Sequence, residues 1–257
     1  RQELEIELSQ SDEKTVSAEF LIDARGRSAP HTGHFLQRGP LSVALSQFWR
    51  LPDNAEPMTQ VMSFGSGWCW YAAGDRGTAS LQIVTSTEKE RLPAKAQLSD
   101  FYRHTLQNIP ELQSLIANAS PYGEITARYA QPQFTRELID DHYARVGDAA
   151  FAIDPLSGHG IYEAIGGALA LTATVNTIFA RPNNTEIAQR FYRERVENDF
   201  LRMARIGRDF YRQEQRWSDN PFWRERSLWP DTEPAHSPPD QAEPHIERRP
   251  VNIDGFI

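Results

Sequence analysis

The stretch Ala144-Arg-Val-Gly-Asp-Ala-Ala-Phe-Ala-Ile-Asp-Pro-Leu-Ser-Gly-His-Gly-Ile-Tyr-Glu-Ala-Ile165 decides the reading of this chain. It predicts a short strand, a turn at Gly147 and Asp148, and a loop around Pro155 carrying Gly158 and Gly160. A helix follows, from about Ile161 through Ile178, stopping before Pro182. Gly158 and Gly160 carry no Cβ, so the backbone there can approach a ligand closely. The helix start behind them presents unpaired N–H groups and the positive end of its dipole. Asp148, on a turn after an apolar strand, offers a carboxylate to ligand hydroxyls. A hydroxyl acceptor at one end and an anion-stabilising helix start at the other suit a flavin, ribityl chain first and pyrimidine ring second. An ordinary strand–loop–helix crossover uses the same residue types, and a bare Gly-Asp pair would not separate the two; the whole string does.

That string resembles the second FAD fingerprint of flavin-dependent monooxygenases, halogenases and related reductases that share the aromatic-hydroxylase fold. The resemblance matches Gly147 and Asp148 to a Gly-Asp pair whose aspartate contacts the ribityl chain. It matches Pro155, Leu156, Ser157, Gly158, His159 and Gly160 to the glycine loop at the pyrimidine edge of the isoalloxazine, with Ile161 opening the helix. Asp-Pro-Leu-Ser-Gly-His-Gly is most similar to the branch that holds tryptophan halogenases and their monooxygenase relatives.

Two further segments occur in the order the resemblance requires. Glu19-Phe-Leu-Ile-Asp-Ala-Arg-Gly-Arg-Ser28 runs from an apolar strand into Asp23, Gly26 and Arg27. It is similar to the turn that leaves the β-meander of the FAD domain, which places these three residues in the cofactor set. Leu4–Leu8 alternates apolar and acidic residues as a half-exposed strand does, and Ser11–Lys14 turns it back into Val16 and Phe20. In Gly65-Ser-Gly-Trp-Cys-Trp-Tyr-Ala-Ala73, Trp68 and Trp70 share one face of a strand, a pattern that simple sheet packing also produces. A hairpin at Gly74–Gly77 leads into Ala79–Val84. The tryptophans resemble the halogenase signature up to the second one, and Tyr71-Ala72-Ala73 then stands where that signature ends in Ile-Pro. Trp49, Trp68 and Trp70 are the expected substrate-side residues.

The G-x-G-x-x-G loop that holds the pyrophosphate is absent from this sequence. The expectation is a chain that is the C-terminal part of a longer protein, with roughly 150 residues preceding it, about one domain. The net charge of −8 argues against nonspecific nucleic-acid binding, and the single cysteine, Cys69, excludes a disulfide within the chain. No uninterrupted apolar run reaches about 18 residues. The 161–180 segment carries Glu163 and Asn176 and reads as a buried helix, so no membrane partner and a cytoplasmic location are expected. His31 and His34 lack further ligands at useful spacing, so no metal site is expected. Hydrolase signatures are also absent.

The expected fold is mixed α/β: the C-terminal part of a GR2-type FAD-binding fold with an antiparallel-sheet substrate domain and a C-terminal helical region. The expected divisions are 1–40 for the meander and its turn, 41–136 for the substrate-side sheet, 137–182 for the return to the FAD domain, and 183–257 for the C-terminal helix and arm. Leu41–Arg50, Gln60–Phe64, Gly67–Ala73 and Ala79–Thr85 read as four antiparallel strands. Pro93–Gln107 and Pro110–Ala119 have helical periodicity, with Leu98, Phe101, Leu106, Leu112 and Leu115 inward. Ile125–Phe134 is one further strand, before His142–Val146. Asn184 caps a long helix from Thr185 to about Gln215, through Ile187, Phe191, Phe200, Ala204 and Phe210. Its arginines, Arg190 through Arg212, form a solvated face or a surface for an acidic partner. Asn220-Pro-Phe-Trp-Arg-Glu-Arg226 resembles a short element of the same branch, and Thr232–Pro250 reads as an extended arm.

The resemblance implies an FAD-dependent monooxygenase that hydroxylates an electron-rich aromatic substrate through a flavin hydroperoxide. Its specific version is the type acting on a tryptophan of a peptide during tryptophylquinone formation. Electrons would come from NAD(P)H or a flavin reductase. The alternatives are a flavin-dependent halogenase, a geranylgeranyl-reductase-type oxidoreductase, and a non-catalytic FAD-fold protein that binds a partner. His159, inside the loop, is the candidate acid/base residue.

Overall fold

The computed structural model describes residues 4–8, 14–30, 36–74, 76–86 and 94–231, with the backbone alone at 4–8, 14–16 and 36. Strands β1 (Leu4–Leu8) and β2 (Lys14–Ala18) form an antiparallel hairpin, and β3 (Leu21–Asp23) leads into a single 3-10 turn, Gly26–Ser28. After β4 (Leu36–Arg38) the chain builds β5 (Val43–Arg50), β6 (Met58–Phe64), β7 (Gly67–Ala73) and β8 (Thr78–Thr85). Two helices follow, α1 (Leu98–Gln107) and α2 (Pro110–Ile116), and then β9 (Ser120–Tyr129). The chain returns through β10 (Gln133–Thr135), β11 (Tyr143–Arg145) and β12 (Phe151–Ala152) to helices α3 (Gly160–Ala180), α4 (Thr185–Gln213) and α5 (Pro221–Leu228).

The large sheet has five antiparallel strands in the order β6-β7-β8-β5-β9, one more than the four expected in sequence, because β9 pairs along β5. Alternation divides its side chains between two covers. Val43, Leu45, Cys69, Tyr71, Leu81 and Ile83 are buried with Tyr102, Leu106, Ile109 and Leu112 of the α1–α2 region. On the other face Ala44, Trp68 and Val84 pack against Tyr211, Phe222 and Trp223 from α4 and α5. A separate core joins β10, β11 and β12 to α3 and α4, where Phe200 stacks on Phe134 with centroids 5.1 Å apart and meets Trp229 edge-on.

Several expectations change in the structure. The single strand expected over 125–134 is two strands in different sheets: β9 ends at Tyr129, and beyond Pro132 β10 pairs with β4 and β12. Proline has no N–H for a ladder, and the break redirects the chain. Asn184 makes no side-chain cap; it closes a 3-10 turn, Pro182–Asn184, that runs straight into α4. Ile187, Phe191 and Phe210 point outward, since α4 buries the stripe Tyr192, Val196, Phe200, Met203 and Tyr211 instead. The arginines of α4 are largely neutralised within the chain: Arg202 by Glu163 at 2.9 Å, Arg195 by Asp199 at 3.6 Å, Arg212 by Asp209 at 3.7 Å.

Helix α3 is not the buried helix expected. Leu171, Thr174 and Ile178 are buried on one side, but Ile161 (80% exposed), Tyr162, Ile165 and Leu169 form an apolar stripe that no described residue covers. By length and composition α3 could cross a membrane. Its Glu163 is buried and ion-paired to Arg202. His31, His34, Ser11–Glu13, Asp75, Pro93 and the 232–257 arm lie outside the described residues.

Gly67 marks the tightest approach in the large sheet. A Cβ there would run into the Val84 carbonyl oxygen and stand 2.8 Å from the Phe64 ring, with no flexible end to yield. Gly65, two residues earlier, would place a Cβ at an ordinary 3.8 Å from Trp217. Gly67→Ala is expected to cost about 3 kcal/mol or more through overpacking, and Gly65→Ala to stay within about 0.5 kcal/mol of the parent. Denaturant unfolding of the two variants checks this, and equal midpoints would contradict it.

Candidate cofactor site

Parallel pairing places the two fingerprint segments side by side. Leu21 lies opposite Tyr143 and Asp23 opposite Arg145, so the turns after β3 and β11 leave the same sheet end. Ligand sites of open α/β sheets lie beyond the carboxyl ends of the strands. Here that end carries the Gly26–Ser28 turn and the Gly147–Ala149 turn.

Arg27 ties these turns to the rest of the site. Its Nη1 donates to the Gln131 carbonyl at 2.7 Å, its Nη2 to the Ile153 carbonyl at 3.3 Å, and its Nε lies 3.5 Å from Asp148 Oδ2. Burial holds the guanidinium below its ordinary pKa, opposed by the charges of Asp148 and Asp154. Asp148 keeps 45% of its side chain exposed, so one ion pair leaves it free to accept further hydrogen bonds. Burial raises its pKa, and Arg27 opposes the rise.

The loop is built by Asp154. Its Oδ1 accepts from the Leu156 N–H at 2.9 Å, which caps the 3-10 turn Pro155–Ser157, while Ser157 Oγ turns inward to the Asp154 carbonyl at 2.8 Å. Gly158 ends this turn at φ +67°, a conformation that side-chain-bearing residues rarely adopt. The left-handed residue of the loop is therefore Gly158, and Gly160 is the first residue of α3. Nothing lies within 4 Å of where a Cβ would stand on either glycine, so the backbone at both is open to a ligand. The N–H groups of Gly160, Ile161 and Tyr162 precede the first helical hydrogen bond, from Glu163 N to His159 O. A crevice of about 10 Å³ lined by Gly147, Asp148, Gly160 and Glu163 joins the Asp148 turn to this helix start. The polar groups fit a flavin: a half-exposed carboxylate to accept from ribityl hydroxyls, and unpaired N–H groups to donate to the electron-rich pyrimidine edge.

Not every residue expected in the site is turned toward it. Asp23 is 4% exposed, and its oxygens are taken by the Arg25 backbone N–H at 3.1 Å, the Arg25 guanidinium at 2.7 Å and the Tyr143 hydroxyl at 3.0 Å. It braces the turn from inside. Pro155 is half-buried, Ser157 is buried, and His159 is exposed with its Nδ1 against the Ser157 carbonyl. Trp49 lies on the helix-covered face of the sheet, its Nε1 3.4 Å from the Tyr102 hydroxyl, and so is separated from Trp68 and Trp70. Trp68 and Trp70 share the other face, but α4 buries Trp68, whose Nε1 donates to Tyr211 Oη at 3.0 Å. Trp70 remains 39% exposed, with Phe48, Val61 and Tyr122 also exposed on that sheet. Phe48, Val61, Tyr122, Asp154 and Tyr211 were not singled out in sequence. Only β-alternation from Trp70 and the strand register could have found the first three. Among the described residues no cluster could hold a metal ion.

The tryptophan halogenase family model matches residues 5–239. The chain belongs to the tryptophan halogenase family. It is 28% identical over 232 residues to a tryptophan 2-halogenase of Chondromyces crocatus, a match that covers 86% of this chain and 44% of the relative. With the flavin-dependent halogenase armH5 of Armillaria mellea the identity is 26% over 62% of this chain and 34% of that one. Among solved structures, the peptidyl tryptophan dihydroxylase QhpG, essential for tryptophylquinone cofactor biogenesis, superposes with a TM-score of 0.76 and 36% identity over 88% of this chain and 52% of QhpG. The halogenase CmlS, at 22% identity and TM-score 0.73, shares the fold. The chain thus spans about half the length of QhpG and less than half of the two curated halogenases. The family consists of FAD-dependent oxidoreductases, halogenases and monooxygenases among them.

The site geometry separates two glycines that look alike in sequence. Gly158→Val forces a β-branched residue into the left-handed region and is expected to destabilise the protein by about 1–2 kcal/mol. Gly160→Val, at an open helix N-terminus, is expected to leave flavin-free stability within about 0.5 kcal/mol. Thermal melts without added FAD test the contrast; a larger loss at Gly160 would mean that the loop is packed rather than open.

Proposed function

We propose that this chain forms part of an FAD-dependent monooxygenase that hydroxylates an electron-rich aromatic ring, with a tryptophan side chain in a peptide as the substrate class. The observation that carries the reading is the convergence of half-exposed Asp148 and the open Gly158–Gly160 loop on one sheet end. The 36% identity to QhpG supports the peptide-tryptophan version. So does Tyr71-Ala72-Ala73, which departs from the Ile-Pro that ends the halogenase signature.

In this reading Asp148 accepts hydrogen bonds from the ribityl chain, and Arg27 holds its carboxylate in place. The N–H groups of Gly160, Ile161 and Tyr162 hold the pyrimidine edge, where the helix dipole favours negative charge. Bound FAD supplies the oxygen chemistry; the chain supplies orientation and exclusion of water. Trp70, Phe48 and Tyr122 offer an aromatic surface for the substrate. NAD(P)H or a flavin reductase supplies electrons. Flavin-dependent halogenation is the second reading, favoured by the family match and the curated relatives.

Asp148→Ala in the FAD-loaded protein is expected to weaken FAD by about 1.5–3 kcal/mol, because ribityl hydroxyls lose a charged acceptor. Gly160→Val is expected to lower flavin occupancy at unchanged fold stability. Equal FAD affinity in both variants and the parent, by fluorescence titration, removes the assignment.

Reaction class is decided separately. Reduced protein with O2, chloride, bromide and a tryptophan-containing peptide is expected to add oxygen to the indole by mass spectrometry. Halide incorporation would establish the second reading instead.

A further inference from the structure

Asp154, the cap of the flavin-facing loop, sits in a polar network that the flavin contacts proposed above do not use. Its side chain is buried, and both carboxylate oxygens lie 3.1 Å from the Tyr211 hydroxyl of α4. Tyr211 Oη in turn accepts from Trp68 Nε1 of β7 at 3.0 Å. One tyrosine hydroxyl therefore links the large sheet to the loop. Its ring is fixed edge-on against Phe222 and Trp223, with centroids 6.0 and 5.6 Å away, and Trp223 Nε1 is anchored to the Phe64 carbonyl at 3.0 Å. Arg226, also buried, lines a crevice of about 10 Å³ with Asp154 and Tyr211 and is held by Ser42 Oγ at 2.8 Å and the Phe222 carbonyl at 2.7 Å.

Each link is oriented by its chemistry. An indole N–H only donates, and a carboxylate only accepts. Only a group that does both, with its proton on the Asp154 side, can join them. Burial pushes both groups toward their neutral forms, raising the Asp154 and Tyr211 pKa values, while Arg226 opposes the change at both. Removing the hydroxyl would leave a buried donor and a buried acceptor each short of a partner, the costly half of hydrogen-bond energetics.

We propose that Tyr211 and Trp68 are positioning residues for the cofactor: acting through Asp154, they hold the Pro155–Gly160 loop in its flavin-binding shape and tie that shape to the face of the sheet that carries Trp70. The proposal rests on the reading of this loop as flavin-facing. Trp68 and Trp70 thereby divide the work, the first bracing the loop and the second standing open on the same face.

The test uses Tyr211→Phe, Trp68→Phe and the double variant. Tyr102→Phe, which removes the matching tryptophan–tyrosine hydrogen bond on the opposite face, serves as the control. In the FAD-loaded protein Tyr211→Phe is expected to weaken FAD about tenfold and to shift the visible absorbance bands of the bound flavin. The double variant is expected to be no worse than Tyr211→Phe, because both changes cut one chain. Tyr102→Phe lowers the melting temperature without moving the flavin spectrum. In flavin-free protein, amide exchange at Leu156 and Gly158 accelerates in Tyr211→Phe and not in Tyr102→Phe. Unchanged exchange at these amides, or flavin losses that add in the double variant, overturns the proposal. Accelerated exchange in Tyr211→Phe, together with a full-length parent protein that binds no FAD, would support the loop brace and sink the functional reading.

Discussion

The site depends on one guanidinium held mostly out of water. Arg27 meets Asp148, the Gln131 carbonyl and the Ile153 carbonyl, all of them more than 100 residues further along the chain. A guanidinium carries five donors in a rigid plane and no acceptor, so it can satisfy several carbonyls at once while keeping its charge. The desolvation of that charge is opposed by Asp148 and Asp154. Lysine, a compact charge on a flexible stem, would not span the same partners. The arrangement makes the Asp148 turn and the capped loop one unit before any ligand arrives.

Around that unit the protein has two cores with different tasks. Phe134, Phe151, Phe200 and Trp229 lock α4 onto the short strands β10 and β12. The large sheet is covered on one face by α1 and α2 and only in part by α4 and α5 on the other. The uncovered part is where Trp70 stands.

Much of this was legible in the residues themselves. Gly147-Asp148 and the Pro155–Gly160 loop are local features, written in turn chemistry and in the apolar run behind them, and the structure has a turn, a loop and a helix start at these residues. Strand alternation put Trp68 and Trp70 on one face. It could not say that Tyr211, 143 residues away, would cover the first and leave the second open. Asp23 entered the cofactor set through the resemblance of its turn to the family's; Arg25 and Tyr143 claim its oxygens, and the Tyr143 contact comes from a neighbouring strand no local pattern reveals. The hydrophobicity of α3 predicted burial, yet hydrophobicity says what a helix can pack against and not which residues supply the surface. The break between β9 and β10 was readable at Pro132, and reading straight across it was an error of pattern rather than of missing information.

The parallel pairing of β3 with β11 has a consequence for the order of folding. Asp23 and Tyr143 meet across a sequence separation of 120 residues, and the intervening chain holds the whole large sheet. Ends of so long a loop pay a closure entropy that grows with the logarithm of its length. The β6-β7-β8 meander, by contrast, closes through tight turns, Phe64 opposite Gly67 and Ala73 opposite Ala79. Contacts that are near in sequence form before distant ones reward their cost. On closure cost alone the insert would condense first, and its compaction would shorten the path that the two fingerprint strands must cross to find each other.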